Sequence, residues 1–311
     1  MGANMITDRK IVIVTRKTRF EELKEKYCTL GQAKFYLEHL GESIEAYQDE
    51  HTRFEQTLKQ LQDVVNNIAR VQLLERSFLP SYKFNKDDVV IVLGQDGLVA
   101  NTMKYLNGQP IVAINPLPDL FDGVLLPFLP AQCKEVIRAV LNTSFSTKTV
   151  SLAEVNTNLG QRLIAVNDLF IGPRSHTSAR YNLAIGNNTE EQSSSGIIVS
   201  TGLGSTGWFK SILAGASGVA GTAVRQKLQN GFAWDSRFLY YSVREPFPSS
   251  ITSCNHTFGK VNANSTLTLT SKMAENGVIF SDGIESDCIE FNAGTVAEVA
   301  LSKLKGQLVV G

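Results

Sequence analysis

The sequence predicts an α/β domain with a parallel sheet, followed by a domain that is largely β. The chain has 311 residues, which is long for one hydrophobic core and favours two domains. Its first half alternates short β-branched runs with helical patterns. From about residue 145, short strand-like runs alternate with segments rich in Ser, Thr, Asn and Gly. We therefore place the domains at residues 1–145 and 146–311, with the last few residues able to return to the first domain.

The strands expected in the first domain are unbroken apolar runs, as is typical of parallel strands buried on both faces. Three such runs occur, at residues 11–14, 89–93 and 111–114. Helical patterns separate them, at residues 20–40, 49–78 and 98–106. This alternation predicts a parallel sheet with right-handed crossovers.

The longest predicted helix, residues 49–78, carries apolar residues at every third or fourth position. These are Phe54, Leu58, Leu61, Val65, Ile68 and Val71. That spacing places them on one helix face, which we interpret as core packing rather than as a surface for a partner. Pro80 is expected to end the helix.

The second domain is expected to be built from short strands separated by turns. The strand-like runs are residues 163–166, 196–200, 238–243, 265–270 and 277–280. One segment differs, because residues 214–223 are rich in Gly, Ala and Ser, and we interpret it as a helix or a tight packing element.

Charge and hydropathy exclude several classes of partner. Thirty basic and thirty acidic residues cancel, so no overall field attracts nucleic acid or an anionic membrane. No apolar run approaches the ~20 residues that span a bilayer, and the N-terminus has no apolar signal region. We therefore expect a cytoplasmic protein that binds neither nucleic acid nor a membrane.

The cysteines and histidines do not indicate a disulfide framework or a metal site. Cys28, Cys133, Cys254 and Cys288 are far apart and form no CxxC pair. This spacing suits a reducing compartment. The four histidines show no HxxxH spacing, and we interpret each as a surface or supporting group rather than a metal ligand.

The second apolar run ends in a tetrapeptide suited to phosphate chemistry, Gly94-Gln95-Asp96-Gly97. It would lie at the carboxyl edge of the sheet, where open α/β folds bind ligands. We expect the glycines to allow positive φ and close approach of backbone N–H groups, and the following helix N-terminus to favour phosphate. Asp96 could accept a proton from a hydroxyl or hold Mg²⁺ against a nucleotide. An ordinary turn with a solvated Asp is the alternative.

Two later segments carry polar groups suited to a nucleotide. Asn167-Asp168 lies between apolar residues, an awkward place for two polar side chains unless they face a ligand. Asp can bond both hydroxyls of a ribose, and Asn can bond an adenine edge; an Asx turn is the alternative. A late turn, Ser281-Asp282-Gly283, would be ordinary on its own.

A turn of small residues ends on an aromatic side chain, in the order Ser205, Thr206, Gly207, Trp208. The hydroxyls offer adaptable hydrogen bonds, and the indole offers a face that can stack on a purine. A tight turn with a tryptophan in the core is the alternative.

Taken in order, these segments resemble the NAD kinase family. That family carries a GGDG turn, an Asn-Glu pair, a TGSTAY-like turn and a late Asp-Gly motif. The corresponding segments are GQDG at 94–97, ND at 167–168, GLGSTGW at 202–208 and SDG at 281–283. The resemblance covers about residues 88–295. Stretches 115–123, 167–178 and 241–246 make it closest to the mitochondrial-type branch.

The resemblance implies the NAD kinase/diacylglycerol kinase-like fold and transfer of the ATP γ-phosphate to the 2′-hydroxyl of NAD, giving NADP. It implies that Asp96 is the catalytic base or organiser, that Mg²⁺ arrives with ATP, and that the protein is a homo-oligomer, a dimer or tetramer. No residue is assigned as a metal ligand. The residues expected to bind nucleotide are Gly94, Gln95, Gly97, Asn167, Asp168, Ser205, Thr206, Gly207, Trp208 and Asp282.

Three positions depart from the family pattern. Gln95 replaces a glycine, Leu98 stands where a threonine is usual, and Asp168 replaces a glutamate. The first two change the surroundings expected of the phosphate. Two alternatives therefore stay open: a kinase of the same fold acting on a sugar or lipid hydroxyl, and a dinucleotide-binding homologue without catalysis.

Overall fold

A computed structural model of the protein describes residues 7–311, and the chain divides into two compact units. The first contains the chain up to Lys148 together with Gln307–Gly311, and the second contains Thr149–Gly306. Within residues 7–311, no helix is both long enough and apolar enough to cross a membrane.

The first unit is a parallel sheet with helices. Its strands are β1 (Lys10–Thr15), β2 (Arg70–Glu75), β3 (Val89–Leu93) and β4 (Pro110–Ile114), and its helices are α1 (Arg19–Lys26), α2 (Leu30–His39), α3 (Ile44–Asn66), α4 (Asp96–Met103) and α5 (Cys133–Leu141). The strands lie in the order β2-β1-β3-β4, and all pair in parallel. The chain's last strand adds Gln307 and Leu308 beside β4.

The core of this unit follows the apolar runs. All five residues of β3 are fully buried, as expected of a strand covered on both faces. The apolar face of α3 packs against β1 and β3 in one cluster of buried residues. The predicted strands and the short helix α4 are therefore confirmed.

The predicted helix 49–78 was wrong at both ends. Helix α3 begins at Ile44 and ends at Asn66, and Val71 lies in β2 instead. β2 lies at the edge of the sheet beside β1 and is mostly accessible to solvent. Its residues happen to continue the helical spacing, but the hydrogen-bond ladder with β1 decides their conformation.

The second unit is largely β. Two of its strands extend into the first unit, because β5 begins there and β16 ends there. The elements are β5 (Ser146–Thr157), β6 (Arg162–Ala165), β7 (Asp168–Pro173), β8 (Ala179–Ile185), β9 (Asn188–Ser194), β10 (Ile197–Ser200), α6 (Trp208–Ala220), β11 (Leu239–Val243), β12 (Phe258–Val261), β13 (Leu267–Ser271), β14 (Gly277–Ser281), β15 (Ile284–Glu290) and β16 (Val296–Val310). Helix α6 begins before the predicted segment 214–223 and ends at Ala220, and Gly221 after it has the left-handed conformation common at helix ends.

One sheet of the second unit carries Asp168 at the start of β7 and Trp208 packed against it. It has the order β12-β11-β10-β7-β14-β15, and its strands pair antiparallel. Alternate side chains point to opposite faces, so Leu169 and Ile171 enter the main core of the unit. Asp168 and Phe170 point the other way, where Phe170 joins a smaller cluster with Trp208 of α6. The fold class predicted from the sequence is confirmed.

Candidate functional site

The turn after β3 joins the carboxyl end of a parallel strand to a helix N-terminus. Gln95 precedes the first helical residue, Asp96, and lies in extended conformation. The expected positive φ was wrong, because neither Gly94 nor Gly97 has one. Gly94 is needed for space instead: a Cβ there would lie 2.9 Å from Cδ2 of Leu98. The leucine that replaces the family's usual threonine thus packs over Gly94.

Both carboxylate oxygens of Asp96 accept hydrogen bonds from the backbone. Oδ2 accepts from the N–H of Val124 and Oδ1 from the N–H of Leu125, each at 2.9 Å. A carboxylate has about four lone-pair sites, so each oxygen can still accept a bond from a ligand hydroxyl or bind a cation. The side chain is half-buried and its orientation is defined at both oxygens.

The segment that supplies these N–H groups is itself held by a buried amide. Nδ2 of Asn115 donates to the carbonyl of Phe121 at 2.8 Å, and Oδ1 accepts from the N–H of Leu117 at 3.1 Å. Gly123 follows with φ of +64°, and a Cβ there would lie 3.0 Å from Asn115 Nδ2. The chain from Asn115 to Leu125 is therefore shaped to present two donors to Asp96.

Gln95 has a defined partner. Its Oε1 accepts a hydrogen bond from Nη1 of Arg16 at 2.9 Å. Arg16 follows β1 and also pairs with Glu22, at 3.4 Å. The glutamine that departs from the family pattern therefore holds a guanidinium beside the turn.

In the second unit, Asp282 holds the Asn167-Asp168 segment. Its Oδ1 accepts from the N–H of Asn167 at 2.6 Å and of Asp168 at 3.3 Å, and both oxygens lie 3.1 Å from the N–H of Val166. Asp282 adopts φ of +56°, which Asp tolerates better than most residues. Its carboxylate thus binds backbone, and it positions the two residues expected to meet a nucleotide.

We expect Asp282→Ala to lower the free energy of unfolding by about 2 kcal/mol, because backbone donors lose their acceptor. Asp282→Asn should cost less, since Asn tolerates positive φ and keeps one acceptor oxygen. Urea unfolding at pH 7 measures both losses, with Glu275→Gln, which changes an exposed carboxylate just before β14, as the control. Equal stability of all three variants would contradict this role.

Asp168 is a buried carboxyl with an unmatched oxygen. The residue is 8% exposed, and within the described chain Oδ1 has no hydrogen-bond partner. Burial raises the pKa of Asp168 to about 7; the Ser200 hydroxyl lowers it in part, and the negative charge of Asp282 adds to the rise. A buried acceptor without a partner is costly, so such a group suits a ligand that brings a donor.

This pKa predicts that stability falls as the pH rises from about 4 to about 7. Over that range the native Asp168 retains a proton that the unfolded chain releases, so the native state binds more protons. The slope contributed should approach about 1.4 kcal/mol per pH unit and vanish above pH 7. Urea unfolding of the protein and of Asp168→Asn from pH 4 to 8 measures it. Identical pH dependence of the two would refute the raised pKa.

The side chain of Asn167 is the polar group most available to a ligand here. Among residues 7–311 its amide has no hydrogen-bond partner, although its backbone carbonyl accepts from the N–H of Thr201 at 2.9 Å. Gly204 packs directly on this carbonyl, since a Cβ there would lie 2.2 Å from the Asn167 oxygen. The turn 202–208 and the Asn167-Asp168 segment are therefore packed as one piece.

The side chains of that turn differ in their availability. The Ser205 hydroxyl is fully buried, donating to the carbonyl of Gly202 at 2.6 Å and accepting from the N–H of Phe232 at 3.0 Å. It therefore supports the turn. Thr206 is exposed, and Gly207 directly precedes α6.

Trp208 lines a cavity of about 340 Å³ in the second unit. Its ring lies nearly parallel to that of Phe170, with centroids 5.9 Å apart, and Phe170 in turn stacks on Phe280 at 4.8 Å. The guanidinium of Arg244 lies 5.5 Å from the Trp208 ring centroid. Arg174 and His176 also line the cavity. Aromatic faces beside basic groups suit a planar ligand with negative charge.

Some of these residues were expected from the sequence, and others were not. The structure brings Asn167, Asp168 and Asp282 into one hydrogen-bonded group in the second unit. Asp96 and Gln95 lie in the first unit. The cavity residues Arg174 and Arg244 were not singled out; each follows directly on a strand end, which was the available signal.

No family model and no curated protein matches the sequence. Among solved structures, the chain is similar to an NAD kinase from Archaeoglobus fulgidus in complex with ATP, with a TM-score of 0.55 and 15% identity over 96% of this chain and 92% of that chain. It is also similar to yeast NADH kinase complexed with NADH, with a TM-score of 0.56 and 16% identity over 98% and 84% of the two chains. The chain therefore has the fold of the NAD kinases, as the sequence resemblance implied.

Proposed function

We propose that this chain is an NAD kinase-like phosphotransferase that moves the γ-phosphoryl group of ATP to the 2′-hydroxyl of NAD, giving NADP. The proposal rests on the carboxylate of Asp96, the first residue of α4. The N–H groups of Val124 and Leu125 orient it. The fold, shared with an NAD kinase and an NADH kinase, supports the same assignment.

In the proposed reaction, Asp96 accepts the proton of the 2′-hydroxyl or holds that hydroxyl for attack. The hydroxyl oxygen forms the new bond to the γ-phosphorus while the bond to the bridging oxygen breaks, and ADP leaves with that electron pair. Phosphoryl transfer depends chiefly on positioning and electrostatic stabilisation, so a well-oriented carboxylate contributes by fixing the acceptor in line.

Mg²⁺ belongs to the substrate in this proposal, because it enters with ATP. Carboxylate oxygens are ligands that Mg²⁺ accepts, and each oxygen of Asp96 keeps capacity beyond its backbone bond. Bound with ATP, the ion neutralises charge on the phosphate oxygens. On the protein side, Asp96 and the backbone N–H groups of the turn are proposed to lie beside the phosphates.

Arg16 supplies positive charge beside the same turn. Its bond to Gln95 restrains a side chain that is 28% exposed. A guanidinium held in this way can bind a phosphate oxygen with little further loss of conformational freedom. We propose that the positive charge of Arg16, held in place by Gln95, compensates for the loss of the family's glycine at position 95.

The second unit is proposed to bind the dinucleotide. The side-chain amide of Asn167 and the partnerless oxygen of Asp168 can pair with ribose hydroxyls or a base edge. A protonated Asp168 could donate as well as accept. The cavity beside Trp208 can take a planar group, and Arg174 and Arg244 can pair with phosphate charge.

The deciding experiment incubates the purified protein with ATP, Mg²⁺ and either NAD or NADH, and measures the phosphorylated product with a dehydrogenase that requires NADP. We expect product formation that depends on ATP. Binding of NAD without product would favour a dinucleotide-binding homologue without catalysis. Consumption of ATP only with a sugar or lipid acceptor would favour a kinase of the same fold that phosphorylates a sugar or lipid hydroxyl.

A further inference from the structure

A group of possible metal ligands lies between α1 and α3 of the first unit, outside the residues assigned above. Glu21 projects from α1, and His51 and Glu55 project from α3. One ligand atom from each lies within 4.8 Å of the other two. His51 and Glu55 are four residues apart, which places them on the same face of the helix.

The imidazole of His51 is held in a defined orientation. Its Nδ1 lies 2.9 Å from Oγ1 of Thr18, and its ring packs on Phe20 with centroids 5.5 Å apart. The Thr18 hydroxyl donates its one proton to Oε2 of Glu21, at 3.1 Å. We therefore assign Nδ1 as the donor to Thr18, which leaves the lone pair of Nε2 available. Histidines that bind metals have this arrangement, with the second ring nitrogen donating to the protein.

The two carboxylates have unused capacity. Glu21 uses Oε2 to accept from the N–H and hydroxyl of Thr18, which leaves Oε1. Glu55 is exposed. In the part of the chain that the structure describes, neither glutamate forms a salt bridge. Glu21 also interacts electrostatically with Lys17, whose ammonium binds Glu25. Two carboxylates beside an oriented imidazole still make a favourable environment for a cation.

We propose that Glu21, His51 and Glu55 bind a divalent transition-metal ion of the Zn²⁺ type. One imidazole nitrogen and two carboxylate oxygens suit Zn²⁺, with water as a fourth ligand, whereas Mg²⁺ and Ca²⁺ prefer oxygen alone. Tetrahedral bonds of about 2.1 Å place ligand atoms about 3.4 Å apart. Glu55 is the exposed member of the group, and rotation of its side chain brings its carboxylate toward the His51 imidazole and Glu21, which Thr18 holds in place.

The bound ion would join α1 to α3. Thr18, which orients both His51 and Glu21, lies two residues after Arg16, the partner of Gln95. Metal binding would therefore restrain the segment that holds a guanidinium beside the Gly94–Gly97 turn. This consequence concerns stability and order, and the metal site itself does not depend on the proposed kinase activity.

The test titrates Zn²⁺ into metal-free protein lacking any polyhistidine tag, by calorimetry, and repeats the titration with Co²⁺ by visible absorption. We expect one equivalent to bind, with a higher melting temperature that a chelator reverses. His51→Ala and Glu55→Gln should each weaken binding more than tenfold. His39→Ala, which removes an exposed histidine from α2, is the matched control and should bind as the parent does.

The cobalt spectrum separates this site from the cysteines, because thiolate ligands add a charge-transfer band that imidazole and carboxylates do not. All the substituted side chains are at least partly exposed, and circular dichroism checks that each variant folds. Absence of binding by the parent protein would overturn the proposal. So would unchanged binding by His51→Ala and Glu55→Gln, or a thiolate band in the parent spectrum.

Discussion

Replacing Asp96 with Asn should lower the rate of NADP formation by about 10²- to 10⁴-fold. The amide has nearly the same shape as the carboxylate but cannot accept the proton of the 2′-hydroxyl. It also has one acceptor oxygen for two backbone donors, so the bond to Val124 or to Leu125 is lost. The effect should fall on kcat, with a smaller change in KM for NAD, because the dinucleotide is proposed to be bound mainly by other residues.

The control for this substitution is Asp87→Asn, which changes an exposed carboxylate near the start of β3. It should leave turnover unchanged. Urea unfolding of both variants separates a chemical effect from loss of structure, since one lost hydrogen bond costs only about 1 kcal/mol. Full turnover by Asp96→Asn would remove this residue from the mechanism.

Gly204→Ala should destabilise the protein by about 3 kcal/mol and weaken the binding of NAD. The added Cβ would lie 2.2 Å from the carbonyl oxygen of Asn167 and 2.6 Å from its carbonyl carbon. A contact with backbone cannot be relieved by rotating a side chain, so the strand end must move. That carbonyl also accepts from the N–H of Thr201, and displacement would strain this bond.

Gly215→Ala gives the matched comparison. Gly215 lies within α6, and a Cβ there would meet nothing within 4 Å. Alanine should therefore stabilise the helix by about 0.5–1 kcal/mol and leave NAD binding unchanged. Urea unfolding and calorimetric titration with NAD measure both variants. If Gly204→Ala kept the parent stability and affinity, the packing of the turn on Asn167 would be disproved.

The strands were the part of the fold most readily predicted from sequence. The runs that became β1, β3 and β4 are apolar throughout, because both faces of each strand are buried. Edge strands lack this property. β2 has one buried residue among six and was predicted as the end of a helix.

In the second unit, several strands escaped prediction for the same reason. β9 reads Asn-Thr-Glu-Glu-Gln-Ser-Ser, which has no apolar alternation. It forms because it pairs along its whole length with β8, from Ala179–Ser194 to Ile185–Asn188. Partner strands distant in sequence decide such segments, and a local pattern does not record them.

The candidate site residues were found by the order of four short segments, and their roles stay predictions. Sequence alone determined the residue types: a carboxylate at 96 between a buried strand and a helix, a polar pair at 167–168, and small residues at 204–207. These residue types depend on local structure, because a strand end, a helix start and a tight turn each restrict which residues can occupy them.

Only the tertiary structure decided which groups those residues meet. It assigned the N–H groups of Val124 and Leu125 to Asp96, and Arg16 to Gln95. It also showed that the Asp282 carboxylate accepts a hydrogen bond from the backbone N–H of Asn167, more than a hundred positions away in the sequence. Backbone donors carry no sequence signature, and contacts across such separations depend on how the sheets pair. The sequence therefore names the candidate groups, and the packing of the fold orients them.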